Sequence, residues 1–176
     1  MSELSDRREK LRRDARRESL VVFVWGPGDP GPDADDFSKA VWSKRNQIRA
    51  SLAESFPNAE VLFSEDDEGS GGIPLGKGEV LASELESAAV ADCIVILDGT
   101  RGASVEVDLF HLYPSIARKM CVFIPERFVG KGLVTEVYER VRLESYTPED
   151  LAECNVAKRV DGVVLQAALQ RRLGGS

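Results

Sequence analysis

The chain has little cysteine, a single histidine and no long apolar run, and each shortage closes off a class of function. The cysteines, Cys93, Cys121 and Cys154, lie too far apart for a zinc pattern or a disulfide framework. They are expected to be small core residues. With His111 alone, no multi-histidine metal site can form, and a Ser-His-Asp triad would have to use that one residue. Its place beside Leu109 and Leu112 points to a structural role, and neither a metal nor a cofactor is expected. No apolar segment approaches bilayer length, so no membrane partner is expected. The opening residues are charged and lack an apolar signal core, which indicates neither secretion nor import and makes the cytoplasm the expected compartment. Positive charge is also short. A net charge of −7 argues against a nucleic-acid polymer as partner, although a free nucleotide needs only a local cation. Gly26-Pro27-Gly28 fits neither a dinucleotide-binding G-x-G-x-x-G nor a P-loop. A phosphoacceptor receiver is excluded as well: it needs an acidic pair after the first strand and a Lys after the fifth, where this chain has Trp25-Gly26-Pro27 and Tyr146-Thr147-Pro148.

What remains is an ordinary globular composition, 43% hydrophobic and 30% charged over 176 residues, enough for one domain with its own core. Residues 1–19 hold seven Lys or Arg against five Asp or Glu and leave the remainder at −9, which suits a charged, solvated tail or helix. Residues 20–173 form the domain. Five strands are expected, over Leu20–Trp25, Ala59–Phe63, Cys93–Leu97, Met120–Ile124 and Val141–Tyr146. Between them, Phe37, Val41, Ile48 and Leu52 recur at helical spacing, as do Leu81, Leu85 and Ala88, then Val105, Leu109, Leu112 and Ile116. Trp42, beside the first of these stripes, is expected in the core. Leu133 to Arg140 should form a short helix, Thr147 and Pro148 should cap and open another, and Val156, Val160, Val163, Val164 and Ala167 carry the last. Ser64 to Gly78, rich in acids and glycine, is expected to be a loop, serving either as a lid over the site or as a plain insertion. Strict alternation of strands and helices requires crossovers and a parallel sheet covered on both faces. The fold class is therefore α/β, three-layered and doubly wound in the Rossmann or flavodoxin manner, with strand order 2-1-3-4-5.

On that order the switch point lies between the first and third strands, where ligands bind outside the carboxyl ends. Two segments meet there. One is the loop after Trp25, whose Gly26, Pro27 and Gly28 let backbone approach a ligand and whose Trp25 can stack on a base. The other runs from Cys93 through Asp98-Gly99-Thr100-Arg101-Gly102 to Glu106: a strand ends in one carboxylate, and a short turn delivers a second into the start of a helix. Leaving the core stripe within the first helical turn, Glu106 should face the crevice.

This segment, Ala-Asp-x-x-x-x-x-Asp followed by Gly-x-x-x-Glu-Val, resembles the nucleoside 2-deoxyribosyltransferase-like superfamily, which includes nucleoside 5′-monophosphate N-glycosidases and is akin to TIR-type NAD glycohydrolases. Val21 to Gly28 resembles the family's opening strand and substrate loop. The resemblance implies that Glu106 is the nucleophile at the anomeric carbon and Asp98 a second catalytic acid, with Trp25, Gly26, Pro27, Gly28, Gly99, Thr100, Arg101 and Gly102 around the substrate. It also implies a homodimer or higher homo-oligomer. Transferases of free nucleosides carry an Asp two residues before the motif glycine. Here that position is Thr100, followed by Arg101, and a hydroxyl with a guanidinium attracts a 5′-phosphate where a carboxylate would repel it. The expected chemistry is N-glycosidic cleavage or transfer on a small nucleoside or nucleotide, 5′-phosphorylated. An NAD glycohydrolase and a non-catalytic nucleotide sensor are the competing possibilities.

Overall fold

The structure is a computed structural model that describes residues 3–63, 77–99, 107–129 and 140–174, with the backbone alone over 77–81. Five parallel strands form one sheet: β1 (Val21–Trp25), β2 (Glu60–Leu62), β3 (Cys93–Leu97), β4 (Met120–Pro125) and β5 (Arg142–Tyr146). Their order is β2-β1-β3-β4-β5, as the sequence predicts. The register sets Trp25 beside Ile96, Leu97 beside Phe123 and Pro125 beside Tyr146, so four strands finish along one edge of the molecule.

Every residue of β3 and β4 is buried, because strand periodicity of two sends alternate side chains into two separate cores. Val22, Val24, Val95, Leu97 and Phe123 join one core with Val41, Ile48 and Leu52 of α2 (Asp36–Ser55) and Val156, Val160 and Val164 of the carboxy-terminal helix. Phe23, Trp25, Ile94, Ile96, Val122 and Ile124 join the other, with Ala88, Val107, Phe110 and Ile116. Other helices among the described residues are α1 (Glu3–Ala15), α3 (Lys77–Val90), α4 (Pro114–Ala117), α5 (Pro148–Ala152) and α6 (Asn155–Gly174).

Local signals account for several boundaries. Asp35 caps α2 by accepting from the Ser38 amide at 2.8 Å, and the helix stops at Phe56, the residue before Pro57. Thr147 caps α5 and Pro148 opens it, as expected from the sequence, and Asp150 completes a reciprocal capping box with Thr147. Of the two forms open to the leading segment, it takes the helix, α1. That helix is largely exposed but tied to α6: Arg16 reaches both carboxylate oxygens of Asp161, at 2.8 and 2.6 Å.

Other expectations require correction. The third apolar stripe was expected to run unbroken through Ile116, yet helical residues 107–110 give way to a turn and a fresh start at Pro114. Proline forces the preceding Tyr113 into extended backbone, φ −99° and ψ 102°, which breaks the phase. Leu112 is consequently 59% exposed, while Val107 and Phe110 are buried in its place. His111 donates through Nδ1 to the Val107 carbonyl at 3.0 Å, a contact within its own turn. Cys154 is exposed rather than core, and Trp42 is half-buried, since the inward face of α2 at that level is taken by Val41 and Arg45. The expected loop 64–78 lies outside the described residues up to 76, its last two positions already belonging to α3, and the expected helix over Leu133 to Arg140 lies outside them to 139.

Candidate functional site

The carboxyl ends of β1 and β3 lie side by side, and each is followed by a glycine with a spatial task. A Cβ on Gly26 would stand 3.2 Å from the Leu97 carbonyl oxygen and 3.3 Å from Cδ of Arg45, so the loop leaving β1 is wedged between the end of β3 and α2. On Gly99 a Cβ would meet the two γ-carbons of Val41 at 2.9 and 3.0 Å. The turn after Asp98 is therefore laid directly on α2, closer than any other residue type permits. The two loops that the topology predicted to converge do so, with α2 as their common backing.

Arg45 holds this junction together. It is fully buried at 0% exposure, a rare place for a guanidinium, and satisfies its donors on backbone: Nε donates to the Val24 carbonyl at 3.0 Å and a terminal nitrogen to that of Pro27 at 3.3 Å. Its guanidinium also lies over the Phe63 ring, 4.0 Å from the centroid. Strand end, loop and β2 exit are thus bound to one side chain.

Asp98 continues the β3–β4 ladder, its amide donating to the Phe123 carbonyl at 2.8 Å. Its own carbonyl accepts from the Tyr146 hydroxyl at 2.7 Å, across the end of the one intervening strand, β4. Burial pushes the Tyr146 phenol above its ordinary range, the negative charge of Asp98 adds to that, and Arg127 works against it. Tyr146 accordingly stays a hydrogen-bond donor at any physiological pH. The Asp98 side chain is half-buried, at the rim.

Among the sequence-predicted site residues, Gly26 and Gly99 follow the adjacent ends of β1 and β3 against α2, Pro27 is held by Arg45, Asp98 and Gly99 are half-buried, and Gly28 is exposed. Trp25 is a correction. At 2% exposure its ring packs on Phe110, with centroids 5.1 Å apart, and beside Phe23, which makes it core and removes it as a stacking surface. The cause is strand parity, since Trp25 shares the face of Phe23 rather than that of Val24. Thr100, Arg101, Gly102 and Glu106 lie outside the described residues. Sequence reasoning missed Arg45, although it sits between Val41 and Ile48 on the buried stripe and its phase was there to be read. It assigned nothing to Phe37 or Arg127 either, which line a hollow of about 270 Å³ with Pro125, Glu126, Tyr146 and Pro148 at the ends of β4 and β5.

A larger hollow, about 1140 Å³, opens at the opposite, amino end of the sheet among Glu18, Asp92, Arg118, Lys119 and the end of α6. Its acids are already engaged, Asp92 by Arg171 and by the Val21 amide, Glu18 by Arg172. Among the described residues no three His, Cys, Asp or Glu side chains cluster as metal ligands would, and no helix is long and apolar enough to cross a membrane.

No protein-family model matches the chain, and no curated protein matches it. Solved structures do. The CMP N-glycosidase BcmB of Clostridium botulinum superposes with a TM-score of 0.50 at 11% identity, covering 80% of this chain and 97% of that one. A 2-deoxyribosyltransferase of Bacillus psychrosaccharolyticus gives 0.43 at 15% identity, covering 77% and 90%, and a conserved protein of Enterococcus faecalis gives 0.41 at 13%, covering 86% and 99%. At these identities the first likeness is one of fold, extending over nearly the whole of the glycosidase.

Proposed function

We propose that the chain cleaves or transfers the N-glycosidic bond of a 5′-phosphorylated nucleoside, with Glu106 as the nucleophile, as a member of the nucleoside 2-deoxyribosyltransferase-like superfamily. The observation that carries this reading is that Gly26 lies against the end of β3 at Leu97 while Gly99 lies against α2 at Val41, so that both segments start from the switch point between β1 and β3. The fold shared with a CMP N-glycosidase supports it.

Breaking the bond between sugar and base develops positive charge on the ring, which a carboxylate beneath the anomeric carbon relieves electrostatically or by forming an ester. In the ester route the Glu106 oxygen bonds to the anomeric carbon as the base departs with the bonding pair and takes up a proton. Water or a second base then displaces Glu106. Asp98, next to the motif turn, serves the sugar hydroxyls or supplies that proton. Thr100 and Arg101 offer donors to the phosphate from the motif side only, with Gly26, Pro27 and Gly99 admitting the substrate close to backbone. A homo-oligomer belongs to the same proposal and is read directly from light scattering.

Release of free base from a panel of nucleoside 5′-monophosphates, nucleosides and NAD, followed by chromatography, tests the reading. Wild type should release base, with monophosphates preferred, and Glu106→Ala should lose at least about a thousandfold in kcat while its thermal midpoint holds. Equal release by both proteins would refute the role of Glu106. Preference for NAD would move the substrate to the glycohydrolase alternative, and ligand-induced stabilisation without turnover would make the protein a sensor.

A further inference from the structure

We propose that the hollow at the ends of β4 and β5 is an anion subsite, in which Arg127 grips a single phosphoryl group. It deepens the reading above, on which it rests for the identity of the substrate.

Arg127 follows β4 directly, in the 3-10 turn Glu126–Phe128. Its guanidinium lies over the ring of Phe37 from α2, 4.7 Å from the centroid, and over that of Phe128, at 4.9 Å. One ring comes from α2 and the other from Arg127's own neighbour in the turn, and stacking of the exposed guanidinium on them leaves its N–H edges for a ligand. No carboxylate or carbonyl of another described residue takes those edges. Two other arginines near this end of the sheet do have such partners: Arg45 uses backbone carbonyls and Arg159 uses the Ser145 carbonyl. A planar donor stacked on two rings with unspent N–H groups, at the carboxyl edge of a parallel sheet, is matched to a carboxylate or phosphate oxygen pair.

The hollow limits the choice. Its volume of about 270 Å³ is below that of ordinary small-molecule pockets, so it takes one compact group rather than a whole nucleotide. Glu126 lines it too and repels a bulky polyanion, so the fit is to one tetrahedral phosphoryl turned toward Arg127. Tyr146 connects the two places, lining the hollow on one side and donating to the Asp98 carbonyl on the other. A nucleoside seated at Asp98 therefore has an anion-binding pocket one tyrosine away, on the β4–β5 side of the crevice.

The test needs wild type and the variants Arg127→Gln, Arg127→Lys and Glu126→Gln. Inorganic phosphate is titrated into each and binding is followed by calorimetry; kcat/KM is then measured for a nucleoside and its 5′-monophosphate. Arg127→Gln should weaken phosphate binding about tenfold to a hundredfold and lower the monophosphate-to-nucleoside ratio by the same factor, mainly through KM. Arg127→Lys should recover part of the charge but not the two-pronged geometry, and Glu126→Gln should tighten phosphate binding. Phosphate that binds wild type and Arg127→Gln equally, or binds neither, overturns the proposal. Because the phosphate arm requires no turnover, it judges the hollow even if wild type releases no base, a result that would sink the proposed reaction instead.

Discussion

Gly99→Ala is the sharpest perturbation of the crevice that stability alone can read. The added methyl would stand 2.9 and 3.0 Å from the γ-carbons of Val41, inside the distance at which carbon atoms repel. Val41 cannot swing away. It is fully buried, and a β-branched side chain in a helix has essentially one χ1 rotamer, so either α2 or the end of β3 must move by a few tenths of an ångström. Overpacking of this kind costs about 1–3 kcal/mol, which for a domain of this size lowers the thermal midpoint by roughly 2–10 °C. Trimming the opposing side chain separates this clash from a general loss of loop flexibility. Val41→Ala alone loses two buried methyls, about 2 kcal/mol, but in its presence the alanine at position 99 has room. The double variant should then be more stable than the sum of the two single effects by about 1–3 kcal/mol in urea melts. If Gly99→Ala melts with wild type, or if the two substitutions simply add, the close approach of the Asp98–Gly99 turn to α2 is not what requires glycine there.

Two further outcomes follow from the groups that brace the site and the amino-terminal helix. Arg45→Met strips donors from the carbonyls of Val24 and Pro27 in a fully buried setting and should destabilise by about 2–4 kcal/mol in chemical denaturation; a variant as stable as wild type would mean that the guanidinium is not what pins the β1 loop. For Asp161, burial alone would raise the carboxyl pKa, yet the hydrogen bonds from Arg16 and Ser55 and the Arg16 charge together bring it below the ordinary value of 3.8. A carboxyl with a lowered folded pKa contributes stability that is complete above its unfolded value and disappears as pH falls through the folded one. Wild type should therefore lose more stability than Asp161→Asn between about pH 5 and pH 2, as read from urea midpoints, and parallel curves for the two would remove the Arg16–Asp161 pair from the account.

The parts of this molecule that were legible in advance are those with a one-dimensional cause. Continuous apolar runs at 93–97 and 120–124 mean strands covered on both faces, alternation with helices means crossovers, and together they dictate the strand order and hence the place of the crevice. The Thr147 cap and Pro148 start were legible for the same reason, because an N-terminal cap is settled within a few adjacent residues. What escaped were features that depend on which face a residue shares with distant partners. Trp25 ends a strand in either parity, and only the seating of Phe110, from a helix more than eighty residues away, turns its ring into core. Arg45 shows the reverse. Its phase placed it inward, but a cation on a buried stripe is credible only when carbonyls stand ready to receive it, and those belong to the strand end and loop twenty residues earlier. The same dependence explains Arg127, whose meaning comes from Phe37 on another element and from the partners it does not have among the described residues. Sequence patterning located the crevice, then, while the cations that brace and flank it became visible through contacts between elements, which is where the specificity of such a site resides.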